Sequence, residues 1–455
     1  MNRLTPPTTI NIRDTVTLHV LPTTRFKTAR LSLSAVLPAD PMLSPRMTLL
    51  FGVLRRGSQR FPDQCRLNRR LDELYGATLT IRNFHAGDKQ VLGFTAEMLE
   101  ESCLPTADRG LDILSGVMEL LSQLLLCPLT DEDGILRRRS VEKEKQALCD
   151  AILADRNQAR SYAEGRLRHI LYGEEPSGVS LFGRPEDIRT VTAEELTALW
   201  KQFLLSARME VFYVGQAPAE RVETCFRAAF ADLCPTSTSP LPSSQVHPAP
   251  ATLRRVDEAR PLSQGRLCMG WSSELSPRDK RLPAAILFNE MLGVMQDSLL
   301  FRHVREELGL CYYCDSALFA SKGVLTVSCG VSPAHRREAE EAIFAQFERV
   351  AAGDFTLHDL RLAKASYENA YRQIPDSPCA LENLWFGQVL NAEAEPPEAR
   401  FAAVMAVGRR ELVEGARAFR PDTVYFLGSD TTIGSTDGTQ DDGLSACDED
   451  DGDDE

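Results

Sequence analysis

Hydrophobic positions along the chain follow two periods. Val16, Leu18 and Val20 alternate with other residues, as do Leu31, Leu33 and Ala35, while Leu267 and Met269 and the run from Gly323 to Val331 repeat the pattern further on. A period of two predicts half-buried strands. Between Leu111 and Leu129, the residues Leu114, Val117, Met118, Leu121, Leu124 and Leu125 recur at i, i+3, i+4, i+7 spacing. That period predicts a buried amphipathic helix; Asp112, Glu119 and Gln123 interrupt the apolar run, so no membrane span is expected from it.

The order of these segments repeats. TAEELTALWKQFLLSARMEVFYVGQ reads as a helix followed by a strand ending at Gly215, and GRRELVEGARAFRPDTVYFLGSD as a helix followed by a strand ending at Gly428. A long helical stretch precedes each: SVEKEKQALCDAILADRNQARSYAEGRLRHILY in one case, LHDLRLAKASYENAYRQI in the other. The Pro- and Ser-rich segment starting at Cys234 lacks apolar periodicity and reads as a linker. The expected organisation is an α+β fold, antiparallel strands with helices on one face, present in two copies. One domain spans 1–233, a linker 234–262, a second domain 263–433 and a tail 434–455.

Composition alters this picture in one place. The net charge of −14 over 455 residues argues against nucleic-acid binding. Ten acidic residues and no Lys or Arg lie between Asp437 and Glu455, leaving −4 for the rest of the chain. That tail is expected to be disordered. The N-terminus lacks the apolar core of a secretory signal. Twelve scattered cysteines then suit free thiols in a reducing cytoplasm. Cys311 and Cys314 form a CxxC, a weak signal by itself, inside GLCYYCDSALF, which reads as the entry to a strand.

Familiar catalytic signatures are missing from the sequence. No two of the seven histidines stand three to five residues apart, so a helical His pair for zinc cannot form, and there is no P-loop, GxGxxG after a strand, or GxSxG. His303 and Glu307, one helical turn apart, read as a solvated helix face.

Several segments in order resemble the M16 (insulinase or pitrilysin-like) metallopeptidase family. MTLLFGVLRRGSQRFPD, from Met47, is similar to the family helix that carries the inverted zinc motif HxxEH and runs into a Gly-Ser/Thr step. RLDELYGATLTIR and KQVLGFTAEML follow, and VEKEKQALCDAI resembles the helix with the third zinc ligand. LFGRPEDIRTVTAEEL and FNEMLGVMQDSLLFRHVREELGLCYY resemble two further family signatures. The resemblance spans roughly residues 10–430. It implies two homologous α+β domains forming half of a clamshell around a chamber.

The resemblance also exposes a loss. Aligning Gly57-Ser58 on the family's Gly-Thr step puts the two His ligands at Thr48 and Gly52 and the general-base Glu at Phe51. Glu144 matches the first of two family glutamates, and the second, the ligand, falls on Ala151. Thr, Gly and Ala offer no useful zinc ligand and Phe cannot take up a proton, which forfeits a binding free energy of about 10 kcal/mol. No metal or catalytic residue is therefore expected in this chain. A second family feature is kept: an Arg and a Tyr seven residues apart that reach substrate match Arg305, late on a helix, and Tyr312, just past Gly309.

Metal-free M16 subunits of this kind pair with a zinc-bearing HxxEH subunit and complete its active site. The nearest resemblance is to the bacterial subfamily associated by name with 5-aminopentanol modification of elongation factor P. The expectation is a cytoplasmic, non-catalytic subunit, with zinc in its heterodimer partner, that binds peptide through Arg305 and Tyr312 and has no nucleic-acid or membrane partner. The alternatives are a purely structural scaffold subunit and an active peptidase with a noncanonical site.

Overall fold

The computed structural model describes residues 4–233, 235, 245–391 and 395–429. The acidic tail, and residues 234 and 236–244 of the Pro/Ser-rich segment, lie outside those residues. None of the described helices is long and apolar enough to cross a membrane.

Among the described residues, eleven strands make two sheets. The first contains β1 (Thr8–Arg13), β2 (Val16–Pro22), β3 (Thr28–Pro38), β4 (Thr78–Ala86), β5 (Lys89–Leu99) and β6 (Arg208–Gly215), in the order β1-β2-β6-β3-β5-β4. The second contains β7 (Arg254–Ala259), β8 (Gly265–Ser272), β9 (Cys311–Phe319), β10 (Val324–Val331) and β11 (Arg420–Gly428), in the order β7-β11-β8-β10-β9. Apart from β1 the two orders are the same. In each, one parallel pair (β2 with β6, β7 with β11) joins an otherwise antiparallel ladder. The α+β class and the duplication expected from the sequence are both present in this topology. Residues 254–259, expected in the linker, are the counterpart of β2: Val256 pairs with Tyr425 in the second sheet. Their short polar–apolar alternation, RRVDEA, is an edge-strand pattern that adjoining Pro-rich sequence obscures.

Helices α1 (Leu43–Arg55), α2 (Ile113–Leu126) and α3 (Arg138–Asn157) cover one face of the first sheet through a core that includes Leu31, Leu33, Phe94 and Val211. The long stretch expected as one helix breaks at Gln158, whose ψ of 89° is not helical. After the break, α4 (Ala159–Tyr172) leaves for the other half. Its Ala163, Leu167, Leu171 and Tyr172 pack on Cys268, Val324, Tyr425 and Leu427 of the second sheet. The second half reciprocates. Helix α5 (Leu357–Gln373) stays at home, whereas α6 (Pro378–Asn391) packs Leu381, Trp385 and Phe386 against Val36, Val91, Phe212 and Val214 of the first sheet.

This exchange corrects the expectation of half-buried strands with helices on one face. Both sheets are covered on both faces, and β6 is buried without interruption from Met209 to Gly215. Such a strand reads as a continuous apolar run rather than an alternation, as MEVFYVG does.

Charged residues fix the crossing. Glu382, on α6, is fully buried; it accepts hydrogen bonds from Arg30 Nε (2.6 Å) and Ser32 Oγ (2.7 Å) and pairs with Arg82, all on the first sheet. Lys322, in the β9–β10 turn and also buried, reaches Asp88 (2.9 Å) and Glu175 (3.1 Å) of the first half. Asp422 is fully buried beside Arg254, His247 (3.5 Å) and Ser272, whose Oγ donates at 2.6 Å. Burial raises the Asp422 pKa, but hydrogen bonds from His247, Arg254, Ser272 and Thr423 outweigh it and hold the carboxyl at about 2.

Two stability outcomes follow from these pairs. Glu382→Ala leaves two guanidiniums in a dry interface and is expected to cost about 3–5 kcal/mol in denaturant unfolding. Removing the exposed partner of Arg30, with Glu97→Ala, is expected to cost no more than about 1 kcal/mol. The folded-state pKa of Asp422 lies below its unfolded value, so its contribution is complete above about pH 4 and is lost as pH falls through about 2. Asp422→Asn is therefore expected to be less stable at neutral pH and to lose less further stability between about pH 4 and 2, measured by unfolding across that range.

Candidate functional site

Three of the four positions that the family resemblance aligns with the zinc motif lie on α1, and each takes part in packing or hydrogen bonding. Thr48 donates its hydroxyl to the Leu181 carbonyl (2.6 Å) and accepts from Asn83 Nδ2 (2.9 Å), whose Oδ1 accepts from Gln90 Nε2 (2.9 Å). Phe51 is buried, edge-on to Phe203 (5.5 Å between centroids) and tilted against Phe94 (5.2 Å). A general base at this position would be an unpaired carboxylate among rings.

Gly52 faces α3. A Cβ built there would lie 2.3 Å from Oε1 and 2.7 Å from Cδ of Glu144. The glycine thus admits the Glu144 side chain, and Glu144 Oε2 is held at 2.6 Å by Arg56 Nε. A guanidinium supplies the positive charge next to the one acidic residue that survives from the motif. Ala151, two turns further along α3, is exposed and has no ligating atom. These residues do not fit a zinc ion: one carboxylate, already paired, is the whole donor set.

The Arg/Tyr positions are on the other half. Arg305 sits in the last turn of the helix Leu300–Glu307, which closes with a wide i→i+5 hydrogen bond from Leu308 N–H to the His303 carbonyl (3.1 Å). Gly309 then turns the chain at φ +63°, a conformation that suits glycine, and β9 begins. Arg305 is partly exposed, stacks over Phe301 (4.7 Å) and approaches Glu306 (3.5 Å). Tyr312 is 78% exposed, unusual for an aromatic ring on a strand. His303 pairs with Glu307 (2.5 Å) and Arg349 (2.9 Å).

The outward aim of Tyr312 has a structural cause. β9 and β10 pair from Val324–Phe319 to Cys329–Cys314, then the register shifts so that Val331 faces Cys311. Three steps along β9 match two along β10, which is a β-bulge. Without the bulge, Cys311 and Cys314 would lie on opposite faces of the sheet. With it, both face the core, and the Sγ atoms of Cys311, Cys314 and Cys329 all lie within 4.8 Å of one another. Sequence reading found the CxxC and its strand correctly but had no access to Cys329, which joins only through strand pairing. Hydrogen bonding with Cys314 and then Cys329, with Arg305 adding its charge, draws the Cys311 thiol well below its ordinary range, to about 4. The buried Cys314 is held well above it by hydrogen bonding with Cys311 and Cys329 and by burial.

The chain is similar to known proteins over most of its length. Residues 190–367 match the family model described as the Peptidase M16 inactive domain. The chain is 26% identical over 418 residues to a Bacillus subtilis protein named Probable inactive metalloprotease YmfF, across 90% of this chain and 95% of that one. A conserved protein from Enterococcus faecalis superposes with a TM-score of 0.84 at 22% identity, covering 94% of this chain and 100% of that one. A peptidase M16 inactive domain from Pseudomonas fluorescens superposes at 0.74 with 15% identity, covering 93% and 98%. At such identities the two structures speak for the fold alone. The chain therefore has the fold of these M16-type structures, and its residues 190–367 are similar to the inactive-domain family model.

The Gly52–Glu144 contact gives a sharp test. Gly52→Ala is expected to expel Glu144 from Arg56 and to cost about 1 kcal/mol in thermal unfolding. With Glu144→Ala already present, the same substitution is expected to add almost nothing, since the space is then open. Phe51→Glu, which buries a carboxylate among Phe94 and Phe203, is expected to cost at least about 3 kcal/mol.

Proposed function

We propose that this chain is the non-catalytic subunit of an M16-type peptidase heterodimer. It pairs with a zinc-bearing HxxEH subunit, closes with it around a chamber as half of a clamshell, and positions peptide there through Arg305 and Tyr312. The observation that carries the reading is the contrast between the two halves. The positions that would hold metal are filled by Phe51, by the Thr48 hydrogen bonds and by the Glu144–Arg56 pair. Tyr312, in contrast, stands exposed on a bulged strand, seven residues from a partly exposed Arg305.

The division of labour has a chemical basis. Peptide hydrolysis at zinc needs a polarised carbonyl and an activated water, both supplied by the metal-bearing subunit. A guanidinium and a phenol add donors to peptide carbonyls, which hold the scissile bond in register. Neither needs a titratable group near neutral pH. The partner supplies the metal, and the compartment is the cytoplasm.

Arg305→Ala, made in the chain co-expressed with its HxxEH partner, is expected to lower kcat/KM for peptide cleavage by about 30-fold to 150-fold, corresponding to one lost charged hydrogen-bond donor of about 2–3 kcal/mol. Tyr312→Phe is expected to lower it by about 5-fold to 10-fold, as one neutral hydrogen bond. An intact complex that cleaves peptide equally well with and without Arg305 would sink the positioning role and favour a scaffold.

A further inference from the structure

The three-thiol cluster of β9 and β10 plays no part in the peptide-binding reading and stands on its own geometry. We propose that Cys311, Cys314 and Cys329 form a binding site for a soft, thiophilic d10 metal ion held in three-coordinate geometry, with Cu(I) the ion it suits.

The geometry carries the proposal. Three cysteine sulfurs converge within 4.8 Å of one another, and among the described residues no other group of three or more His, Cys, Asp or Glu side chains converges this way. In a trigonal site with metal–sulfur bonds of about 2.3 Å, the sulfurs lie about 4 Å apart. The cluster therefore needs inward movement of under about 1 Å, which is within the reach of χ1 adjustment. The convergence is built by backbone: Cys314 and Cys329 are directly paired across the strands, and the bulge turns Cys311 onto their face.

The surroundings select the ion. Cys329 is fully buried, Cys314 nearly so, and Cys311 is only partly covered, so the cluster has one edge through which an ion can enter. The sulfurs belong to the core that includes Leu310, Val331 and Val304. Thiolate ligands in an apolar shell favour Cu(I) and Zn(II) over harder cations. Zn(II) demands four ligands, whereas three sulfurs satisfy Cu(I). Arg305 carries a positive charge close enough to act on Cys311 and offsets part of the negative charge of a metal–trithiolate unit. Binding releases thiol protons to solvent, and no change in oxidation state is involved.

The test is an anaerobic titration of the reduced full-length chain with Cu(I) buffered by a competing chelator. One equivalent is expected to bind and to give a thiolate-to-copper charge-transfer band in the ultraviolet. Cys311→Ser, at the partly exposed position, and Cys329→Ala, at the buried one, are each expected to weaken that equivalent by about 100-fold or more, with circular dichroism confirming that the variants are folded. The double variant Cys65→Ser/Cys103→Ser, which removes two exposed thiols, is expected to leave it unchanged. Unaltered copper uptake in folded Cys311→Ser would overturn the site. So would a Cys314–Cys329 disulfide found by non-reducing peptide mapping of the freshly isolated chain, or displacement of Cu(I) by an equal concentration of free Zn(II).

Discussion

The reciprocal exchange of helices between the two halves is the constraint on which the rest of this molecule depends. Each sheet has a second apolar face that its own helices do not cover. A sheet with one face bare would present Val36, Val91, Phe212 and Val214 to water, or Tyr425 and Leu427 in the other half. Covering both faces removes that surface at a free-energy gain of about 25 cal/mol per Å². It also makes the halves mutually obligatory, because neither buries its core without a helix from the other. Glu382 with Arg30 and Arg82, and Lys322 with Asp88 and Glu175, then set the register of the exchange. Such charges are costly to bury and tolerable only when matched, so they disfavour any docking in which a helix slides by a turn.

Within that frame, the positions that align with the zinc motif serve packing and charge pairing. The helix α1 is needed for packing, since Met47, Leu49, Leu50, Val53 and Leu54 are all core residues. Its former ligand positions face β4–β5 and α3 rather than the centre of that core. Glu144, admitted by Gly52, is paired with Arg56, one turn further along the helix. Phe51 joins an aromatic cluster instead. Each replacement satisfies a local requirement of burial or charge, and together they leave no donor set to which zinc could return.

Much of this was legible from residues alone. The repeated order of segments announced the duplication, and the strands ending at Gly215 and Gly428 each follow a helix as expected. The buried helix within Leu111–Leu129 runs from Ile113 to Leu126. The errors share a physical origin. The strand β7 was hidden because an edge strand takes its identity from its neighbour, here β11, more than from its own six residues. The break at Gln158 was hidden because residues on either side are good helix formers. Its cause is the pull of the opposite sheet on Ala163, Leu167 and Leu171.

The departure from the zinc motif of the family that the chain resembles is legible in sequence, because Phe51, Gly52 and Ala151 carry no ligating side-chain atom in any fold. Thr48, Phe51, Gly52 and Ala151 needed no coordinates to be judged. The tertiary structure alone decided what took their place, since the Glu144–Arg56 contact joins residues 88 apart. The same holds for the thiol cluster. Cys311 and Cys314 are near in sequence yet would face apart on a regular strand, and Cys329 is distant. A single bulge, formed only when β9 pairs with β10, turns three unremarkable cysteines toward one point and aims Tyr312 away from it.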